Sequence, residues 1–507
     1  MQLSLRDSIA MLSAGLVAAA AGSKADAQAP VSVPGYDPDT HSFGPGSNYF
    51  AWDTALLVYQ EPGGRVQAME PSTDFSVHFE DGSVFTLGLI ADSVSGATPN
   101  GAVPSDLAQT FITPVKGGGT SSAPSANGGS SGGGDDGGEG DDGGGDDGGG
   151  GGGTGSTGGT GGGGGSVSVT GASGGGTVVH VPGGTNVLAR QYTVAPNQLP
   201  LDKGFRDLRE ALNLSWTQPL GGISEFGFGA GFSRERDYQA ITGNIHAAQN
   251  FNADNTTVSL ALNIELDTSK PFGGVPTPLT EMSGAWKSPS SRGKTQAGFV
   301  VGFTQVVSRR WLMQLNYAFD SQSGYQNDPY RIISVVNPTT GEPLRYLYEN
   351  RPKRRISQSL LWDNKIDYDP AITDFSIRYF TDDWGISSIT ADLSERINLG
   401  SRFFVEPDVR WYHQTAAKFY RYFLVDGQTL PAFASSDTRL SAFSAVTFGA
   451  KLGFDVTQNS ELYLSASYYD QMGNGHPADA IGQLRNQNLF AGTKATVFMV
   501  GYSWNFD

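Results

Sequence analysis

Seven carboxylates crowd one glycine tract in the first third of the chain: Asp135, Asp136, Glu139, Asp141, Asp142, Asp146 and Asp147. Clustered carboxylates are hard oxygen ligands, the kind Ca²⁺ takes. Asp135, Asp136, Asp141 and Asp142 would be the ligands of a metal held there. Calcium-binding β-helix repeats also carry an apolar residue in each repeat, and this tract has none. Glycine loses the most backbone entropy on ordering and offers no apolar area. The tract therefore reads as a solvated, disordered loop insert over 117–175, with no metal and no cofactor expected.

Gly128-Gly129-Ser130-Ser131-Gly132 has the G-x-S-x-G spacing of a serine nucleophile. That spacing has meaning only on a strand–turn–helix elbow. Here it lies in low complexity, where chance produces it, and the G-x-G-x-x-G spacings of the same tract fail likewise. The six histidines, His41, His78, His180, His246, His413 and His476, show no ligand spacing. A barrel hydrolase would assemble its His, Asp or Ser from separate strands, and nothing in the spacing favours one. No enzymatic activity is expected. Cysteine is absent, which excludes disulfides, zinc thiolates and a lipid-anchoring thiol.

Charges of a second kind alternate with apolar residues. In Thr256–Leu266, Val258, Leu260, Leu262, Ile264 and Leu266 face one way, while Thr257, Ser259, Ala261, Asn263 and Glu265 face the other. A period of two is a β-strand with one apolar face. The same alternation places Arg209, Glu265, Asp267, Arg378, Arg396, Glu406, Asp408 and Arg410 opposite apolar rows. If the apolar rows meet lipid, these eight charges line a lumen. They either face a water-filled pore and set its selectivity, or pair across strands and stiffen the wall. Their mixed signs argue against strong ion selectivity.

The elements that must position them are strands of about ten residues. They read as Phe50–Gln60, Val66–Glu80, Val84–Ser93, Arg206–Thr217, Ile223–Arg234, Tyr238–Phe251, Thr256–Leu266 and Gln296–Val306. Trp311–Phe319, Ile356–Ile366, Asp374–Thr381, Ile386–Arg396, Phe403–His413, Ser444–Val456, Glu461–Tyr469 and Thr496–Asp507 follow. Short turns and long loops largely alternate between them. An all-β, closed, antiparallel transmembrane barrel of about 16 strands (roughly 14–18) fits this pattern, with short periplasmic turns and long outer loops. Trp311, Trp384, Trp411, Tyr468 and Trp504 fall near strand ends, as interfacial girdles require.

The last strand places Phe498, Val500, Tyr502, Trp504 and Phe506 on one face. Gly501, Trp504 and Phe506 resemble the C-terminal signal that barrel-assembly machinery reads, with Met499 and the trailing Asp507 as departures. At the other end, Arg6, the apolar run Ile9–Ala21 and Ala25-Asp26-Ala27 read as a secretory signal peptide over 1–27, cleaved after Ala27. A short lead over 28–47 precedes the barrel of 48–507. No segment has the roughly 18 apolar residues of a spanning helix. Mean hydropathy is −0.27, which a barrel permits because lipid-facing residues alternate with polar ones. The net charge of −17 argues against nucleic-acid binding.

Several stretches resemble DUF3570, a family of Gram-negative outer-membrane barrels without an assigned activity. They are Leu57–Pro71, Leu89–Pro104, Phe232–Tyr238, Asn255-Thr256-Thr257, Arg378–Ile386 and Tyr412–Tyr420, in consistent order through nearly all of the mature chain. The resemblance implies a barrel in outer-membrane lipid. It also suggests a neighbourhood containing a small lipoprotein and a flavin-transferring enzyme, hence other envelope proteins as partners. The leading functional expectation is a porin-like channel for small solutes, constricted by its outer loops. The alternative is a docking barrel of a secretion or electron-transfer system, and a barrel hydrolase is a third reading.

Overall fold

The computed structural model describes residues 48–114, 167–169, 176–181, 185–221, 223–282, 287–288 and 290–506. The expected signal peptide, the lead and the carboxylates of the glycine tract lie outside these residues. Sixteen strands close into one barrel. In chain order they are β1 Tyr49–Gln60, β2 Val66–His78, β3 Val84–Pro99, β4 Leu201–Leu220, β5 Ile223–Arg234, β6 Tyr238–Phe251, β7 Thr256–Ser269 and β8 Arg292–Ser308. The second half is β9 Trp311–Gly324, β10 Arg354–Asp367, β11 Ala371–Asp382, β12 Ser387–Leu399, β13 Phe403–Gln414, β14 Phe443–Thr457, β15 Ser460–Gly473 and β16 Lys494–Phe506.

Each strand pairs antiparallel with its neighbours in sequence, and β16 returns to β1 with Phe506 opposite Phe50 and Thr496 opposite Gln60. Closure follows from the solvent. An open edge in lipid would leave a row of unpaired N–H and C=O groups, each costing several kcal/mol. The alternation decides which face is which. On β7, Val258, Leu260, Leu262, Ile264 and Leu266 are all exposed, and Thr257 and Asp267, which flank them on the other face, are buried. Rows of exposed Leu, Ile, Val and Phe recur on the other strands, for example Leu208, Leu212 and Leu214 on β4 and Phe448 and Leu452 on β14. So large an apolar belt is stable only against hydrocarbon.

The two ends of the barrel differ. At one end every connection is tight: 79–83, 221–222, 252–255, 309–310, 368–370, 400–402 and 458–459. At the other lie long loops, of which 100–113, 192–200, 270–282, 325–353, 415–442 and 474–493 are described, with three short turns among them, 61–65, 235–237 and 383–386. Residues 114–191 form a second compact unit. Within the insert expected to be disordered, Val167–Val169 is a strand paired with Gly176–Val181, which in turn pairs with Thr185–Val194.

Candidate functional site

The long loops are not independent. The gap after β9 stands six strands from the gap after β3 and six from the gap after β15, far round a ring of sixteen. Yet the loops springing from these three gaps touch. The Ile332 N–H donates to the Asn100 carbonyl at 2.9 Å, and the Gln483 N–H to the Thr340 carbonyl at 2.9 Å. Ser105 Oγ donates to Glu342 Oε1 at 2.7 Å, and Gln483 Nε2 to the Pro104 carbonyl at 3.3 Å. Loops rooted so far apart meet only by reaching over the opening. The mouth is spanned by a cap.

The cap has its own core. Ile332–Val336, Pro343–Tyr348 and Leu424–Val425 form a three-stranded sheet, and Ile333, Val335, Val336, Ala434 and Leu484 are fully buried. Where loops cross, the chain is glycine. A Cβ on Gly101, at φ +97°, would stand 2.2 Å from the Ile332 carbonyl oxygen. One on Gly482, at φ +52°, would stand 2.0 Å from that of Thr340. Only glycine permits both the backbone and the approach.

A buried ion network adjoins this sheet, with the Glu349 N–H donating to the Arg331 carbonyl at 3.2 Å. Arg351 reaches Glu349 at 2.7 Å and Asp437 at 2.8 Å. Arg439 also pairs with Asp437, and Arg331 stands 3.8 Å from both Asp437 and Asp328. Ser435 Oγ donates to Glu349 Oε2 at 2.6 Å, and the Asp328 N–H to Glu349 Oε1 at 2.5 Å. Burial pushes the Asp437 carboxyl up, but Arg331, Arg439 and Arg351 overcome this and hold it well below the ordinary carboxylate range. Burial lifts Glu349, and Arg351 offsets only part of that. Nothing in the sequence signals this network. Its members sit in aperiodic loops about a hundred residues apart.

All eight charges read as lumen-facing stand on the inward face of their strands, opposite the exposed apolar rows. They are spread around the wall rather than gathered. Arg209 on β4 is in register with Asp92. On β7, Glu265 is opposite Gln296, and Asp267 pairs with Lys294 at 2.8 Å. The other five share β11–β13. Arg378 donates to Ser359 Oγ at 3.4 Å, and Arg410 stands 3.5 Å from Asp392. Arg396 crosses 3.6 Å above the Phe404 ring and reaches Glu461 at 3.6 Å. Glu406 is in register with Lys451, and Asp408 lies over Gly449. Lys294, Asp392, Lys451 and Glu461 are additions, legible by the same alternation one strand over. Between them the inward Asp74, Asn213 and Asn263 are exposed, so there is room inside the wall.

The inner wall is not uniformly polar. Near the cap, Leu57, Tyr59, Val66, Ala68, Val94, Ala495 and Val497 form a buried apolar cluster. In β16, Trp504 is exposed and packs 4.5 Å from Phe506, which stacks on Phe50 at 5.5 Å. Gly501 faces inward, and the Tyr463 ring lies where its Cβ would stand. Trp311, Trp411, Tyr468 and Trp504 are exposed near strand ends. Trp384 departs from the girdle expected of it. It is buried in the cap, donates to the Arg354 carbonyl at 2.7 Å and carries Arg355 4.8 Å from its ring. Its turn, 383–386, is at the loop end, where packing against Phe419 outweighs the interface.

A closed antiparallel barrel with an apolar outer belt, a charged inner wall and loops at one end is a transmembrane β-barrel of the outer-membrane type. The chain belongs to the family described as protein of unknown function DUF3570, which it matches over residues 29–504. No curated protein matches it in sequence. Among solved structures it is similar to the siderophore receptor PirA from Pseudomonas aeruginosa, at 9% identity, TM-score 0.35, covering 90% of this chain and 61% of the receptor. It thus spans about six tenths of that receptor's length. It is similar to the outer membrane protein opdK from Pseudomonas aeruginosa, at 8% identity, TM-score 0.34, covering 91% and 99%. The toluene transporter TodX of P. putida is similar at 9% identity, TM-score 0.30, covering 93% of each chain.

Proposed function

We propose that the barrel passes small solutes through its lumen, with the loop cap as the constriction. One observation carries this reading: a polar inner wall with exposed inward side chains lies beneath loops that meet over the mouth. Sixteen strands are enough to leave an aqueous channel. The setting is the outer membrane of a Gram-negative bacterium, reached by a signal peptide over 1–27 and barrel-assembly machinery that reads Gly501, Trp504 and Phe506. The second reading is a docking barrel for a small lipoprotein or another envelope protein. What favours it is the cap's packed core, more than a loose constriction needs. Purified protein in a planar bilayer separates the two. Discrete conductance steps are expected of the native chain, and larger ones of a Gly101→Val, Gly482→Val double variant whose loops no longer cross. Silence from both would rule out the channel and leave the docking barrel.

A further inference from the structure

Among the exposed basic residues at the loop end, four are drawn together on β4–β7. Arg206 on β4 and Arg234 on β5 are both exposed and on the outward face, each two residues beyond an exposed apolar residue, Leu208 and Phe232. Arg236 follows in the 235–237 turn, exposed, and its Nη1 donates to the Arg206 carbonyl at 2.8 Å. The Lys270 N–H donates to the Asp237 carbonyl at 2.7 Å, which brings this exposed residue from the end of β7 to the same place. Four cations thus form one continuous patch over the rims of β4–β7. The nearby carboxylates do not cancel it. Glu235 and Asp237 are buried, and Asp237 accepts from the Tyr330 hydroxyl at 2.6 Å. Asp207 and Asp267 face inward. Glu210 alone is exposed on the outward face, in register with Arg234.

We infer that this patch binds the phosphorylated headgroup of a lipid in the leaflet at the loop end. The occupant is a lipid rather than free phosphate because of what lies directly below. Leu208, Leu212, Phe232 and Ile241 continue the same strands as exposed apolar rows. A ligand with phosphate at one end and acyl chains at the other meets both surfaces at once. Lys and Arg hold phosphate by charge-assisted hydrogen bonds, and each basic residue near an anionic lipid surface adds roughly a fivefold gain in binding.

Native mass spectrometry of the full chain, released from detergent with added phosphatidic acid or phosphatidylcholine, tests this. Phosphatidic acid should be retained over phosphatidylcholine. The variant R206Q/R234Q/R236Q/K270Q should lose at least about tenfold of that retention. A control, R309Q/R310Q/R402Q, removes three cations at the tight-turn end and should retain the lipid as the native chain does. All three proteins must show heat-modifiable migration, which reports a folded barrel. Equal retention by the quadruple variant would overturn the site, and so would an equal loss in the control. Displacement of the lipid by equimolar inorganic phosphate would show that the acyl rows contribute nothing and would overturn the lipid assignment.

Discussion

Asp437 concentrates the electrostatics of the cap in one side chain. It is buried and answers Arg331, Arg351 and Arg439 together. Removing one partner of a buried ion pair costs about 3–5 kcal/mol, because the other charges stay buried and underpaired. Asp437→Asn should therefore loosen the cap without opening the barrel. Hydrogen exchange within 328–351 and 435–441 should quicken, while Thr256–Leu266 stays protected. Unchanged exchange in the loops would mean that the network holds nothing. Acid offers a second test. A carboxyl held below its unfolded value, about 3.9, contributes stability that is present above that value and lost as pH falls through the folded one. Asp437 is of this kind. Glu349 has the opposite sign: its folded value is raised, so its contribution shrinks as pH rises through that value. The cap should hold at about pH 4 and open in stronger acid. Pepsin, active in both conditions, should cut the loops at about pH 2 and spare them at about pH 4. Cutting at both would show that the arginines do not hold Asp437 ionised.

The strands were legible because lipid on one side and polar contacts on the other impose a strict period of two. All sixteen barrel strands read from alternation are present, with bounds off by up to three residues at the tight-turn end and by more at the loop end. β4 begins at Leu201 rather than Arg206, β8 at Arg292 rather than Gln296, and β15 runs to Gly473 rather than Tyr469. Beyond the hydrocarbon no apolar face is needed, so the alternation fades while the ladder continues. The cap strands Ile332–Val336 and Pro343–Tyr348 went unread for a related reason. The first is buried throughout, an apolar run interrupted at Ser334, with no alternating signal. The last strand separates two roles that the sequence merges. Gly501 gives way to the Tyr463 ring, which is packing, whereas Trp504 and Phe506 lie on the outer surface. Gly501→Leu forces a side chain into a filled space, at a cost of about 1–3 kcal/mol. It should lower the temperature of the heat-modifiable shift while outer-membrane yield stays near normal. Replacing Trp504 and Phe506 with Asp should instead leave protease-sensitive chain in the periplasm, since it puts two charges on the outer face. Asn505→Asp, on the inward face, should assemble. Equal yields of the double variant and Asn505→Asp would mean that the outer aromatics are not what assembly reads.

At the scale of the whole barrel the inner charges are unevenly shared. The inward face of β1–β7 carries Asp53, Glu70, Asp74, Asp92, Asp207, Glu225, Glu265 and Asp267. Against these carboxylates stand Arg209, His78 and His246, the last beside Glu225 at 3.2 Å. The face of β8–β15 is mixed. Lys294, Arg355, Lys365, Arg378, Arg396, Arg410 and Lys451 stand among Asp320, Asp363, Asp367, Asp374, Asp382, Asp392, Glu406, Asp408, Asp455 and Glu461. Reading eight scattered charges of both signs pointed to weak selectivity. The full wall has one acidic side, because β1–β3 contribute carboxylates that short polar stretches of sequence did not single out. A low-dielectric wall of one sign focuses its field into the lumen and raises the local concentration of the opposite ion. If the lumen conducts, it should therefore prefer cations. Under a KCl gradient in a planar bilayer, the reversal potential should take the sign of K⁺ permeation. Asp53→Asn with Asp74→Asn should move it toward zero, since these two face each other in register and Asp74 is exposed within the lumen. A reversal potential that favours chloride, or one that the double variant leaves in place, would show that the acidic side does not border the path of the ions. A silent bilayer would instead count against conduction itself, so the two failures are distinct.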